Sequence, residues 1–166
     1  MNRLKLFAFA FVVFAGCKVA QQPKVISQTE EELVITQEKS KQSETYSEQG
    51  IKFFAGTLQE GLEKAKAENK LLFVDCYTTW CGPCKLMKIN TFTDANLGDY
   101  MKDKYVSMAI DMEQPEGMII AKKYGIEAYP TLLFLDKYGR VVNYQVGGIG
   151  AEALLAKAEQ TVRKSM

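Results

Sequence analysis

Cysteines stand at positions 17, 76, 81 and 84, and two of them bound a short motif, Trp80-Cys81-Gly82-Pro83-Cys84. A dithiol with this spacing can pass electron pairs to and from disulfides: one thiolate attacks, and the second, about one helical turn on, resolves the mixed disulfide. The motif follows the apolar run Leu71 to Tyr77, and Pro83 permits a helix start. Cys81 is thereby placed at a helix N-terminus, where unpaired N–H groups and the helix dipole favour thiolate over thiol and lower its pKa. The spacing makes Cys81 the expected nucleophile and Cys84 the resolving thiol, with Gly82 and Pro83 shaping the turn. The chain contains no histidine. That excludes Ser-His-Asp and Cys-His nucleophile pairs and His-containing zinc or haem sites. A Cys-x-x-Cys pair could also be half of a zinc or iron–sulfur site, but two further ligands would be needed and no metal is expected. With 21 basic against 20 acidic residues, a net charge of +1 supplies no field that argues for a nucleic-acid partner.

The elements that carry this motif lie in the last two-thirds of the chain. Asn2-Arg3-Leu4-Lys5 is a basic start, and Leu6 to Ala15 is an apolar run that leads to Gly16-Cys17. Ten residues of helix span about 15 Å, half of a hydrocarbon core of about 30 Å, so residues 1–16 read as a signal peptide. Phe14-Ala15-Gly16-Cys17 resembles the lipobox of bacterial lipoproteins, with Phe14 where an aliphatic residue is usual. The resemblance implies that Cys17 is lipidated and takes no part in redox chemistry; an ordinary secreted protein and an uncleaved anchor are the alternatives. Residues 17–50 form a polar tether, rich in Gln, Glu, Ser, Thr and Lys, with apolar islands at Val25-Ile26 and Leu33-Val34-Ile35. As a flexible coil it spans roughly 30 Å. The folded unit is expected over residues 51–166.

Within that unit strands and helices alternate. Ile51 to Phe54 reads as a short strand, Thr57 as the cap of a helix reaching about Lys70, and Leu71 to Tyr77 as a strand covered on both faces. A helix carries Lys85 to Ile89, Thr93 caps a second segment through about Lys102, and Tyr105 to Met112 forms a strand. Glu116 to Tyr124 is a helix closed by Gly125. Thr131 to Asp136 and Val141 to Val146 are strands joined at Tyr138-Gly139, and Ala151 to Lys164 is the last helix. This order calls for an α/β fold: a mixed central β-sheet with helices on both faces.

Phe73-Val74-Asp75-Cys76-Tyr77, the Trp80 to Cys84 motif and Tyr129-Pro130-Thr131, in this order, resemble the thioredoxin family from Ile51 to Ser165. Thr91-Phe92-Thr93-Asp94, Asp111-Met112-Glu113 and Lys123-Tyr124-Gly125 are most similar to the thioredoxin-like domain at the C-terminus of the transmembrane disulfide reductase. The resemblance implies a thioredoxin fold and a Cys81–Cys84 redox disulfide. It implies that Asp75 is a buried carboxylate that helps deprotonate the resolving thiol through a raised pKa; the alternative is a strand-end aspartate satisfied by backbone N–H groups. Ser107 stands where the family usually carries a lysine near this carboxylate. Pro130 matches the cis-proline facing the disulfide, and the backbone of Tyr129 would pair with an extended substrate segment. The Tyr129 ring either lines the groove or packs on the surface, Trp80 covers the disulfide rim, and Gly147 lies near the groove or is an ordinary turn glycine. Cys76 reads as a buried small apolar residue and Lys85 as a solvated charge.

The function implied is extracytoplasmic thiol–disulfide exchange, reducing protein disulfides, on a periplasm-facing lipoprotein of the cell envelope. No organic cofactor is needed. The expected partners are protein thiols and disulfides, a membrane-borne electron donor and, through the lipid, the membrane; the chain is expected to be a monomer. A redox-inactive binding or chaperone module is the rival from another class. A thiol peroxidase is the other enzymatic rival, with Thr78 three residues before Cys81 but Val74 where a proline would stand.

Overall fold

Thr57 starts the first helix with a reciprocal cap: Glu60 donates its N–H to Thr57 Oγ1 at 3.2 Å, and Thr57 donates its own N–H to Glu60 Oε2 at 2.7 Å. The structure, a computed structural model, describes residues 49–166. The signal segment 1–16, Cys17 and the tether through residue 48 lie outside the described residues. The elements are α1 (Leu58–Ala67), β1 (Leu71–Tyr77), α2 (Gly82–Leu86) running into a π-helical turn (Met87–Thr91), α3 (Ala95–Lys104), β2 (Tyr105–Asp111), α4 (Pro115–Tyr124), β3 (Thr131–Leu135), β4 (Val141–Val146) and α5 (Ala151–Ser165). Gly125 ends α4 in the left-handed conformation, φ 64°, which glycine adopts without a Cβ penalty.

The sheet has four strands in the order β2-β1-β3-β4. β1 runs parallel to β2 and antiparallel to β3, and β4 is antiparallel to β3. The strand expected at Ile51 to Phe54 is reduced to one parallel bridge between Phe53 and Ser107. Ile51 is fully buried and bonds its N–H to the Phe92 carbonyl at 2.8 Å, away from the sheet, while Phe54 donates to Ser107 O at 2.7 Å at the bridge. Thr93 does not cap α3. Its hydroxyl donates to the Ile89 carbonyl at 3.1 Å, closing the preceding turn, and Asp94 Oδ1 takes the Leu97 N–H at 2.9 Å instead. The helix that follows the cysteines widens at its end, where Phe92 N–H reaches the Met87 carbonyl at 2.9 Å.

Alternation along β1 divides the interior. Leu72, Val74 and Cys76 enter an aliphatic layer with Met108, Ile110, Leu133 and Leu135, covered by α1 and α4 through Leu58, Ala65 and Ile120. Phe73 enters an aromatic layer with Phe92, Tyr105 and Phe134, covered by α5 through Leu154 and Ala158. The Phe73 and Phe134 rings lie 5.2 Å apart, and Tyr105 satisfies its buried hydroxyl by donating to Ala158 O at 2.7 Å. At Gly117 of α4, an added Cβ would lie 2.0 Å from the Asp111 carbonyl oxygen, so only glycine lets α4 come this close to the end of β2. The segment just past β2 is tied to the end of β1 by the Met112 N–H, which donates to the Tyr77 carbonyl at 2.8 Å.

Candidate active site

β1 delivers Asp75 to the aromatic side of the sheet and then turns through Thr78-Thr79-Trp80 into the cysteines. Cys81 is the N-cap of α2: its Sγ accepts the Cys84 N–H at 3.1 Å, and its carbonyl accepts the Lys85 N–H at 3.2 Å. Pro83 lies within the first turn, where no N–H is needed. Cys81 and Cys84 are joined in a disulfide with Cα atoms 5.3 Å apart, and their residues are 3% and 6% exposed. The expected dithiol pair is therefore one bonded unit at the helix start, with an N–H aimed at the Cys81 sulfur.

Asp75 is 4% exposed, and its Oδ1 has no hydrogen-bond partner. Desolvation raises its carboxyl to about 7, opposed by the charge of Lys88 on the π-helical turn. Its expected backbone-satisfied alternative does not describe Oδ1. Across the sheet, Asp75 pairs with Ala109, while Ser107 pairs with Phe73 two residues back along the same face. No lysine approaches Asp75 from either of these β2 positions; Lys88 comes from the helix side. Thr78 is buried, with its Oγ1 also unpartnered, and its carbonyl accepts the Cys81 N–H at 3.3 Å.

Tyr129–Pro130 is a cis peptide, and Pro130 is buried with its carbonyl accepting the Gly147 N–H at 2.8 Å. Gly147 itself has φ 83°, and a Cβ added to the neighbouring Gly148 would touch Pro83 and Met87, so this turn lies against the cysteine-bearing helix. Trp80 is 66% exposed and meets the half-buried Tyr129 edge-on, ring centroids 5.9 Å apart. The two aromatic residues singled out from sequence are thus neighbours. Gly82 and Pro83 are exposed on the first turn, and Lys85 is exposed as expected. Cys76 is fully buried in the aliphatic layer, where burial pushes its thiol pKa far up.

Glu113 was not singled out from sequence as a site residue, although it accepts the Trp80 indole N–H at 2.9 Å and the Thr79 hydroxyl at 3.0 Å. The signal that finds it is register. Tyr77 pairs with Asp111 in parallel strands, so residues two positions further on, Thr79 and Glu113, emerge side by side. Lys88 is visible only once the helix is folded over β1. Among the described residues, no group of three His, Cys, Asp or Glu side chains converges to hold a metal ion.

Residues 58–161 match the family model of the thioredoxin-like domain. The chain is 37% identical over 98 residues to thioredoxin H4 of Arabidopsis thaliana, an alignment covering 58% of this chain and 75% of that protein. It is 25% identical over 107 residues to the thiol:disulfide interchange protein DsbD of Pseudomonas fluorescens, covering 63% of this chain but only 18% of that protein. Among solved structures, a candidate disulphide isomerase from Bacteroides thetaiotaomicron superposes with a TM-score of 0.63 at 46% identity, covering 70% of this chain and 96% of that one. β1, the disulfide and the helix that follows it all fall inside the residues that the family model matches. The chain accordingly belongs to the thioredoxin-like family and is a thiol–disulfide oxidoreductase.

Proposed function

We propose that this chain reduces protein disulfides outside the cytoplasm while held at a membrane by a lipid on Cys17. The observation that carries the chemistry is the Cys84 N–H directed at Cys81 Sγ, 3.1 Å away, on the helix that follows the strand whose buried Asp75 carboxyl is raised to about 7. In the reduced protein that N–H and the helix start favour the Cys81 thiolate. The thiolate attacks one sulfur of a substrate disulfide, forming a mixed disulfide and releasing the other substrate sulfur as a thiolate. Asp75 accepts the Cys84 proton, and the resulting thiolate attacks Cys81 Sγ, expelling the second substrate sulfur. The products are a substrate dithiol and the Cys81–Cys84 disulfide, so one electron pair has moved and a membrane-borne donor must return it. Cis-Pro130 and Tyr129 border the groove in which an extended substrate segment lies, and Gly82 and Pro83 lie exposed on the turn next to Cys81.

Residues 1–16 serve as the export signal, residues 17–50 as the tether and residues 51–166 as the catalytic domain. The basic and apolar start followed by Gly16-Cys17 supports this reading. The likeness to a candidate disulphide isomerase favours a second use of the same dithiol, in which attack by Cys81 rearranges bridges and the substrate itself expels the enzyme. Cys84→Ser tests the exchange chemistry. It is expected to accumulate mixed disulfides with cell-envelope proteins that are absent from Cys81→Ser; no trapped species in Cys84→Ser contradicts the exchange reading. Recovery of a scrambled substrate by Cys84→Ser at a rate near that of the unmodified chain would select isomerisation over net reduction.

A further inference from the structure

An indole that is two-thirds exposed would ordinarily sample several rotamers, but Trp80 is held from two sides. Its Nε1–H donates to Glu113 Oε1 at 2.9 Å, and its ring stands at 81° to that of Tyr129. Glu113 Oε2 takes the Thr79 hydroxyl at 3.0 Å and, more distantly, the Thr79 N–H at 3.4 Å. One carboxylate therefore grips both residues that lead into Cys81. Glu113 is itself anchored: its N–H donates to Asp111 Oδ1 at 3.0 Å, and Gly117 draws the following helix onto the end of β2. Bonds from Trp80 and then Thr79 hold the Glu113 carboxyl below its ordinary range, so the anion persists into more acid solution than that of a free glutamate. A ring fixed before binding loses little freedom when a substrate side chain packs on it.

We propose that Glu113 is a positioning residue that fixes Trp80 against Tyr129, making the two rings one wall of the groove beside Cys81–Cys84 and selecting disulfides flanked by a bulky apolar side chain. The inference rests on the exchange reading of that disulfide. The wall offers an edge and a face of aromatic carbon and leaves the indole N–H already satisfied, so an aliphatic or aromatic neighbour gains contact while a small polar one does not.

Trp80 is the chain's single tryptophan, so its indole signals report this contact without interference. The experiment compares the full chain with Glu113→Ala and Glu113→Gln. Glu113→Ala is expected to speed indole N–H exchange about tenfold, the loss of one charge-assisted bond. Its KM for a peptide disulfide flanked by Leu or Phe is expected to rise about fivefold with kcat retained, while KM for the same peptide flanked by Ser stays unchanged. Glu113→Gln keeps a carbonyl oxygen for the indole and is expected to restore at least half of both effects. Unchanged indole exchange in Glu113→Ala, or equal losses on both peptides, would overturn the proposal. Failure of the unmodified chain to turn over either peptide is a different result: it removes the exchange reading, and the selectivity with it.

Discussion

Asp75 and Cys76 are neighbours on one strand, both hidden from water and pointed to opposite faces of the sheet, and burial acts on both in the same direction. Each pKa rises, because desolvation penalises whichever form is charged. The consequences diverge because the starting points do. A carboxyl that starts at 3.8 is brought to about 7, where it can take and return a proton at neutral pH. A thiol that starts well above neutrality is pushed further from use. The surroundings sharpen the contrast. Cys76 lies among Leu72, Val74, Met108 and Ile110 with the strand's aliphatic layer closed over it, whereas Asp75 retains an unpartnered oxygen and feels the charge of Lys88. The same burial that disables a nucleophile prepares a base, and the period of two along β1 puts one on each side.

Selective alkylation breaks this comparison most sharply. In the reduced protein at pH 7, Cys81 is expected to react at least 10²-fold faster than Cys76, because thiolate fraction and access both favour it; comparable labelling of the two, read by peptide mass, would remove the contrast. A smaller effect concerns the raised carboxyl. Its contribution to stability is full below the unfolded value near 3.8 and is lost progressively as pH rises to about 7, since over that range the unfolded chain releases a proton that the buried carboxyl retains. Between pH 5 and pH 8 the oxidised chain is expected to lose about 2 to 3 kcal/mol of unfolding free energy, and Asp75→Asn should flatten that slope. Parallel slopes in denaturant titrations would show that another group carries the effect. The same variant is expected to slow resolution of the mixed disulfide about tenfold near neutral pH. The smallest effect is at Cys76, where Cys76→Ala should cost about 1 kcal/mol through a small cavity and leave turnover within about twofold.

Two strands were readable because they end in turn residues: Leu71–Tyr77, covered on both faces, and the largely exposed edge strand Val141–Val146 fall where the pattern put them, and Gly125 closes its helix as glycine position alone suggests. The segments around the cysteine helix were harder, since local preference there is divided. Thr93 and Asp94 are adjacent residues that can both cap, and only the folded Ile89 carbonyl, which claims the threonine, decides between them. Likewise, Ile51 to Phe54 has strand composition, but the Phe92 carbonyl takes the Ile51 N–H and limits the pairing to one bridge. At the site, the roles of the Cys81 and Cys84 thiols follow from residue type and spacing, and Asp75 from the family resemblance. Glu113 and Lys88 do not, because each reaches the cysteine segment through strand register or helix docking, which a linear pattern does not encode.

The most direct test of the central claim is the equilibrium reduction potential of the Cys81–Cys84 pair, measured against thiol buffers of known poise. A reductant recharged from the membrane requires a value near thioredoxin's roughly −270 mV. A value near −120 mV, typical of a strong oxidant, would reverse the proposed direction of electron flow.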